Sequence, residues 1–98
     1  MTMSKLTVIA RVVARKVSVE AVKAELIKLI APTRKEDGCI EYNLHQDNED
    51  PSVFVFYETW ENAGCLEQHT NSDHFKRYVN AVEGLIEEKV VNKMTRIE

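Results

Sequence analysis

The chain reads as an α+β domain of the ferredoxin-like, split βαβ kind: an antiparallel four-stranded sheet with helices packed on one face. Three observations predict this. The apolar period switches between two and 3.6 residues in the order β-α-β-β-α(α)-β. Ninety-eight residues with no linker, repeat or low-complexity tract make one domain, residues 1–98. The first and third strands are apolar on both sides, yet helices on one face cover only one of them. A second copy of the chain is the simplest cover for the other, so a homodimer formed sheet to sheet is expected.

The first strand is "KLTVIARVVAR", Lys5 to Arg15. Leu6, Val8, Ala10 and Val12 fall on one side, and Thr7, Ile9, Arg11 and Val13 on the other. Ser18 is a good N-cap for a helix in which Val19, Val22, Leu26, Leu29 and Ile30 recur at helical spacing. Pro32 lacks an N–H and is expected to bend or loosen that helix near its end. "EDG" closes it, with Gly38 free to take a left-handed C′ position. "CIEYNLHQ" then alternates, with Ile40, Tyr42 and Leu44 on one side. "DNEDPS" is turn chemistry, and "VFVFYETW" returns as the second arm of an antiparallel hairpin. A short helix from about Asn62 to His69 is broken by "TNSD". Ser72 caps another, with Phe75, Tyr78, Val79 and Val82 as its apolar stripe. The tail is expected to be a last strand from about Lys89 to Ile97.

A formal net charge of −3 gives no reason to expect a nucleic-acid or membrane partner. Every apolar run is far shorter than the roughly 20 residues of a membrane span. "MTMSKLTVIARVV" lacks the long apolar core and cleavage site of a signal peptide, which makes a cytoplasmic location the expectation. Cys39 and Cys65 form no CxxC pair and read as free packing thiols.

The chemistry-bearing residues gather between Tyr57 and Phe75. His69 and His74 are five apart, which on one continuous helix aims their rings roughly 140° apart. Helical zinc pairs use i, i+4 spacing, so no metal is expected, although "TNSD" breaks the helix between them. Trp60 ends a strand, as a core plug or as the wall of a pocket. His69 shares a helical face with Cys65 and Leu66, which suits a satisfied core-edge histidine or a general base. His74 lies just after a helix start, where the dipole disfavours its charged form. Glu58 shares a strand face with Phe54, Phe56 and Trp60, and Tyr42 on the neighbouring strand reaches the same side. A carboxylate so placed is either ion-paired, with Arg11 for instance, or chemically used. No nucleophile triad, P-loop or dinucleotide fingerprint occurs.

"EDGCIEYNLHQDNEDPSVFVFYETWENAGCLEQHTNSDHF" resembles the antibiotic biosynthesis monooxygenase family, which includes quinol monooxygenases. Glu36, Gly38, Cys39, Tyr42, Pro51, Phe54, Tyr57, Glu58, Trp60, His69, His74 and Phe75 match its pattern in order. The resemblance implies a dimeric α+β barrel with a pocket between each sheet and its helices. It also implies oxidation of a small quinol or phenol by O2 to a quinone, without metal or other cofactor. On that resemblance His69 is the base, while Trp60 orients the substrate and donates a hydrogen bond to one of its oxygens. Tyr42, Phe54, Glu58 and His74 are then substrate-binding. Haem-degrading relatives are similar in fold, but of their site only the tryptophan has a counterpart here: the other two positions fall near Ala10 and Val79. Isomerases of small phosphorylated ketones are an alternative, needing basic residues such as Arg11, Lys76 and Arg77 for the phosphate. A non-catalytic ligand-binding module of the same fold is a third reading, and a pocket already filled by its own aromatics would favour it.

Overall fold

The computed structural model describes residues 5–98; Met1 to Ser4, the start of the segment read for a leader, lie outside the described residues. The strands are β1 (Leu6–Ala14), β2 (Cys39–Gln46), β3 (Val53–Trp60) and β4 (Ile86–Met94); the helices are α1 (Val19–Arg34), α2 (Ala63–Thr70) and α3 (Asp73–Ala81). All the strand pairings are antiparallel and the sheet order is β2-β3-β1-β4, the ferredoxin-like arrangement expected.

Alternation decides which side of the sheet each residue serves. Val8, Val12, Phe54, Phe56, Glu58, Trp60 and Tyr42 point toward the helices and are buried, joined there by Val22, Leu26 and Leu29 of α1. Helices cover only that side. Ile9, Tyr57 and Asn92 form a cross-strand row on the other, and Tyr57 there remains 39% exposed. β4 is solvent-exposed along almost its whole length, with Val90, Val91 and Met94 among the exposed apolar residues.

Four local expectations change. Ser18 makes no side-chain cap; a 3-10 turn at Lys16–Ser18 leads into α1 instead, its Ser18 N–H bonded to the Arg15 carbonyl. α1 includes Pro32 and ends at Arg34. The chain then tightens, the N–H groups of Lys35 and Glu36 reaching the carbonyls of Pro32 and Thr33. Gly38 is left-handed (φ +80°), but it lies in the turn entering β2, four residues beyond the helix. Ile40 is 41% exposed, because the β2–β3 register slips between Cys39 and Glu41. The last strand begins at Ile86, three residues early, because Gly84 (φ +81°) turns the chain onto β1 at once.

Gly38 carries a testable consequence. A Cβ there meets Cys65 Sγ at 2.3 Å, besides the left-handed backbone. Gly38→Ala destabilises the fold by about 1–3 kcal/mol in urea titration. Adding Cys65→Ala recovers the steric part only; full recovery contradicts the backbone argument.

Candidate active site

β2 and β3 carry the pocket residues. Tyr42 and Glu58 are a direct cross-strand pair on the helix side, both almost fully buried. Tyr42 stacks on Phe56 at 4.3 Å between ring centroids. Two residues along β3, Trp60 is wholly buried, and its Nε1–H donates to Glu58 Oε1 at 2.8 Å. The indole N–H expected to meet a ligand oxygen is therefore committed to Glu58. Arg11, the alternative partner for that carboxylate, lies on the opposite face and pairs with Glu88 at 3.1 Å. Burial is the main cause that pushes Glu58 up to about 7; the Trp60 hydrogen bond opposes it, and the charge of Glu36 adds to it. Tyr42 is likewise pushed well above the ordinary phenol range, by burial first and then by the Glu58 charge. Cys39 is raised to about 11, chiefly by burial, as suits a packing thiol.

The helices supply the second half. Asn62 caps α2 by accepting from the Cys65 N–H, and Ser72 caps α3 by accepting from the Phe75 N–H. The "TNSD" break lets α3 leave in a new direction, so the angle expected for one continuous helix does not apply. His69 Nδ1 and His74 Nε2 converge on a single oxygen, Glu36 Oε2, at 2.8 and 2.5 Å. A carboxylate only accepts, so the protons sit on those two nitrogens, leaving His69 Nε2 as a lone pair. Burial, the leading cause, lowers the His69 pKa; the Glu36 hydrogen bond and charge pull the other way. The His69 ring stands 5.0 Å from both Trp60 and Phe75 and 5.5 Å from Tyr42.

Between sheet and helices lies a cavity of about 70 Å³, whose walls include Tyr42, Phe56, Glu58, Phe75 and Tyr78. Of the residues singled out from sequence, Tyr42 and Glu58 line it. Trp60 and His69 stand directly behind them. Phe54 is core, opposite Val12 and Gln46 nearer the far end of β3, and His74 opens instead on a separate groove between α1 and α3. Glu36 escaped the site prediction: it was read as a helix terminator, and only its place in the family pattern marked it.

The Glu58 shift makes stability depend on pH. An acid whose folded pKa lies above its ordinary 4.5 binds its proton more tightly when folded. This contribution is therefore full below about 4.5 and is lost as pH rises toward about 7. His69, with its pKa lowered below 6.5, works in the opposite sense at acid pH. The difference between wild type and Glu58→Gln isolates the first effect. Urea midpoints at pH 5 and pH 8 show the variant gaining relative stability at the higher pH; an equal gain at both counts against the buried carboxylate.

A buried carboxylate in an aromatic cavity of a ferredoxin-like sheet, with a Glu–His–His cluster gathered from the helices above it, marks a small α+β protein with a candidate site between sheet and helices. The chain belongs to the antibiotic biosynthesis monooxygenase family, whose sequence model matches residues 5–81. It is 36% identical over 75 residues to "Putative monooxygenase Rv0793" of Mycobacterium tuberculosis, covering 76% of this chain and 73% of that one. It is 32% identical over 73 residues to "Probable quinol monooxygenase YgiN" of Escherichia coli K12, covering 66% and 70%. The crystal structure of PA3566 from Pseudomonas aeruginosa superposes with a TM-score of 0.94 at 36% identity, over all of both chains. The chain spans about half (54%) of the length of a Synechocystis relative, sll1783, to which it is 32% identical over 79 residues. Among the described residues no helix is long and apolar enough to cross a membrane.

Proposed function

We propose that this protein is a cofactor-independent monooxygenase that oxidises a small quinol or phenol with O2 to a quinone. The observation that carries the reading is Glu58, a carboxylate inside an aromatic cavity and pushed up to about 7. Such a group is poised between its neutral and charged forms near neutral pH, and it holds a phenolic oxygen by a hydrogen bond. An electron-rich phenolate passes one electron to O2, and the pair recombines to a hydroperoxide. Loss of water then leaves one atom of the O2 on the ring as a quinone carbonyl and carries the other away. The protein then has three tasks: to hold the ring, accept protons and stabilise the anion. In this reading Tyr42 and Phe56 hold the ring, Trp60 orients Glu58, and His69 Nε2 is the base. The monooxygenase names of the relatives support the class, and the name of the Escherichia coli relative supports a quinol. We place the reaction in the cytoplasm, in keeping with two free cysteines.

One observation favours a second reading, a non-catalytic binding module. The cavity of about 70 Å³ is near half the ~150 Å³ of a cavity that holds benzene. A substrate ring enters only as Phe75 and Tyr78 of α3 swing aside. The isomerase alternative has less support: Arg11 is across the sheet and Lys76 and Arg77 are exposed, so the three do not converge on the cavity. The deciding experiment is O2 uptake by metal-free protein with a panel of hydroquinones. Uptake above the buffer rate is the expected result; none with any member, alongside quenching of Trp60 fluorescence, favours the binding module.

We also propose that two copies pack through the helix-free face of the sheet, where Ile9, Val55 and Tyr57 are only partly covered. Sedimentation at micromolar concentration gives a dimer; a stable monomer there contradicts it.

A further inference from the structure

We infer that Glu36, His69 and His74 form a binding site for a divalent cation of the zinc class. Their nearest ligand atoms all lie within 4.8 Å of one another, and they come from three separate elements. Glu36 is in the turn after α1, His69 in the last turn of α2, and His74 in the first turn of α3. Two imidazole nitrogens aimed at one carboxylate oxygen, rather than one at each, describe ligands gathered around a point. Two neutral imidazoles and one carboxylate are the donor set of borderline cations such as Zn²⁺ and Co²⁺, not of Mg²⁺ or Ca²⁺.

The geometry needs little change. Bonds of about 2.0–2.2 Å set tetrahedral ligand atoms roughly 3.3 Å apart. The His69–Glu36 and His74–Glu36 contacts are 2.8 and 2.5 Å now, so a retreat of the Glu36 carboxylate by about 1 Å opens the centre. Each histidine moves its proton to the far nitrogen, and the ion takes the lone pair so exposed. The environment suits a captured ion: the His69 side chain is 3% exposed, those of Glu36 and His74 are 14% and 20% exposed. A groove of about 280 Å³ between α1 and α3 reaches His74 and offers the way in. Three protein ligands leave the remaining position for water.

One consequence rests on the proposed role of His69, although the binding itself does not. An ion on Nδ1 places the ring proton on Nε2, which then accepts none. The cation is therefore a brake on chemistry that uses His69 as base.

Metal-free protein is titrated with Zn²⁺ by calorimetry and with Co²⁺ by visible absorption. The expected result is one ion per chain with a dissociation constant of about 10 µM or below. Glu36→Gln and His74→Gln each weaken it by about tenfold or more, whereas His45→Gln, at an exposed histidine on β2, does not. Binding weaker than about 100 µM, or binding lost only in His45→Gln, overturns the inference. Should Glu36→Gln fail to fold, wild-type protein still decides. Co²⁺ broadening of amide signals centred on residues 36, 69 and 74 supports the site, and broadening centred elsewhere overturns it. Inhibition of O2 uptake is read separately, so binding without inhibition removes the brake and leaves the site.

Discussion

His69→Gln lowers kcat for hydroquinone oxidation by about 10²- to 10⁴-fold, the usual cost of removing a general base. The glutamine amide still donates to Glu36 in place of the Nδ1–H, but it has no nitrogen of useful basicity. His69→Ala loses as much activity, and in addition opens a hole beside Trp60, Tyr42 and Phe75. The glutamine variant is therefore the informative one. Its urea midpoint stays near wild type while its rate falls, and KM changes little because a base acts in the transition state rather than in holding the bound ring. A rate within a few-fold of wild type, in a variant shown to fold, retires His69 as base and transfers the proton to Glu58. Glu58→Gln then carries the loss, and with it disappears the rise of activity toward pH 7 that a base with the raised pKa of Glu58 would give the wild type.

Trp60→Ala costs about 3–5 kcal/mol of stability, a large share of the roughly 5–15 kcal/mol that a domain possesses. Two causes add. The wholly buried indole leaves a cavity at the end of β3, and Glu58 loses the Nε1–H that donates to its buried carboxylate. Trp60→Phe separates them, because it keeps most of the ring and removes only the N–H. It costs less in urea titration, and it moves the pH-dependent window of stability upward, since the lost hydrogen bond was lowering the Glu58 pKa. An unmoved window in Trp60→Phe contradicts the Trp60–Glu58 coupling.

Much of the architecture was legible because it depends on short-range rules. Two-residue alternation in "KLTVIARVVAR" and "VFVFYETW" groups residues by face without knowledge of neighbours, and the set Phe54, Phe56, Glu58 and Trp60 on β3 is the buried one. The cap at Ser72 marks where α3 begins, because its side chain satisfies the Phe75 N–H three residues away. Errors arose where distant chain intervened. Ile40 follows the alternation of "CIEYNLHQ", yet it faces solvent because β3 sets a slipped register. The last strand starts early because its length is set by pairing with β1.

The site divides in the same way. By themselves, the residues determined that Phe54, Phe56, Glu58 and Trp60 share a face, because strand periodicity is a local property. The family resemblance, also legible there, marked His69 and His74. Only the tertiary structure decided what these groups do to one another. It turned the Trp60 N–H onto Glu58, separated Phe54 from the cavity, and folded α3 back so that His69 and His74 meet on Glu36. Glu36 stands 33 and 38 residues from those histidines. No periodicity spans such a gap; the packing of α1, α2 and α3 against one sheet closes it.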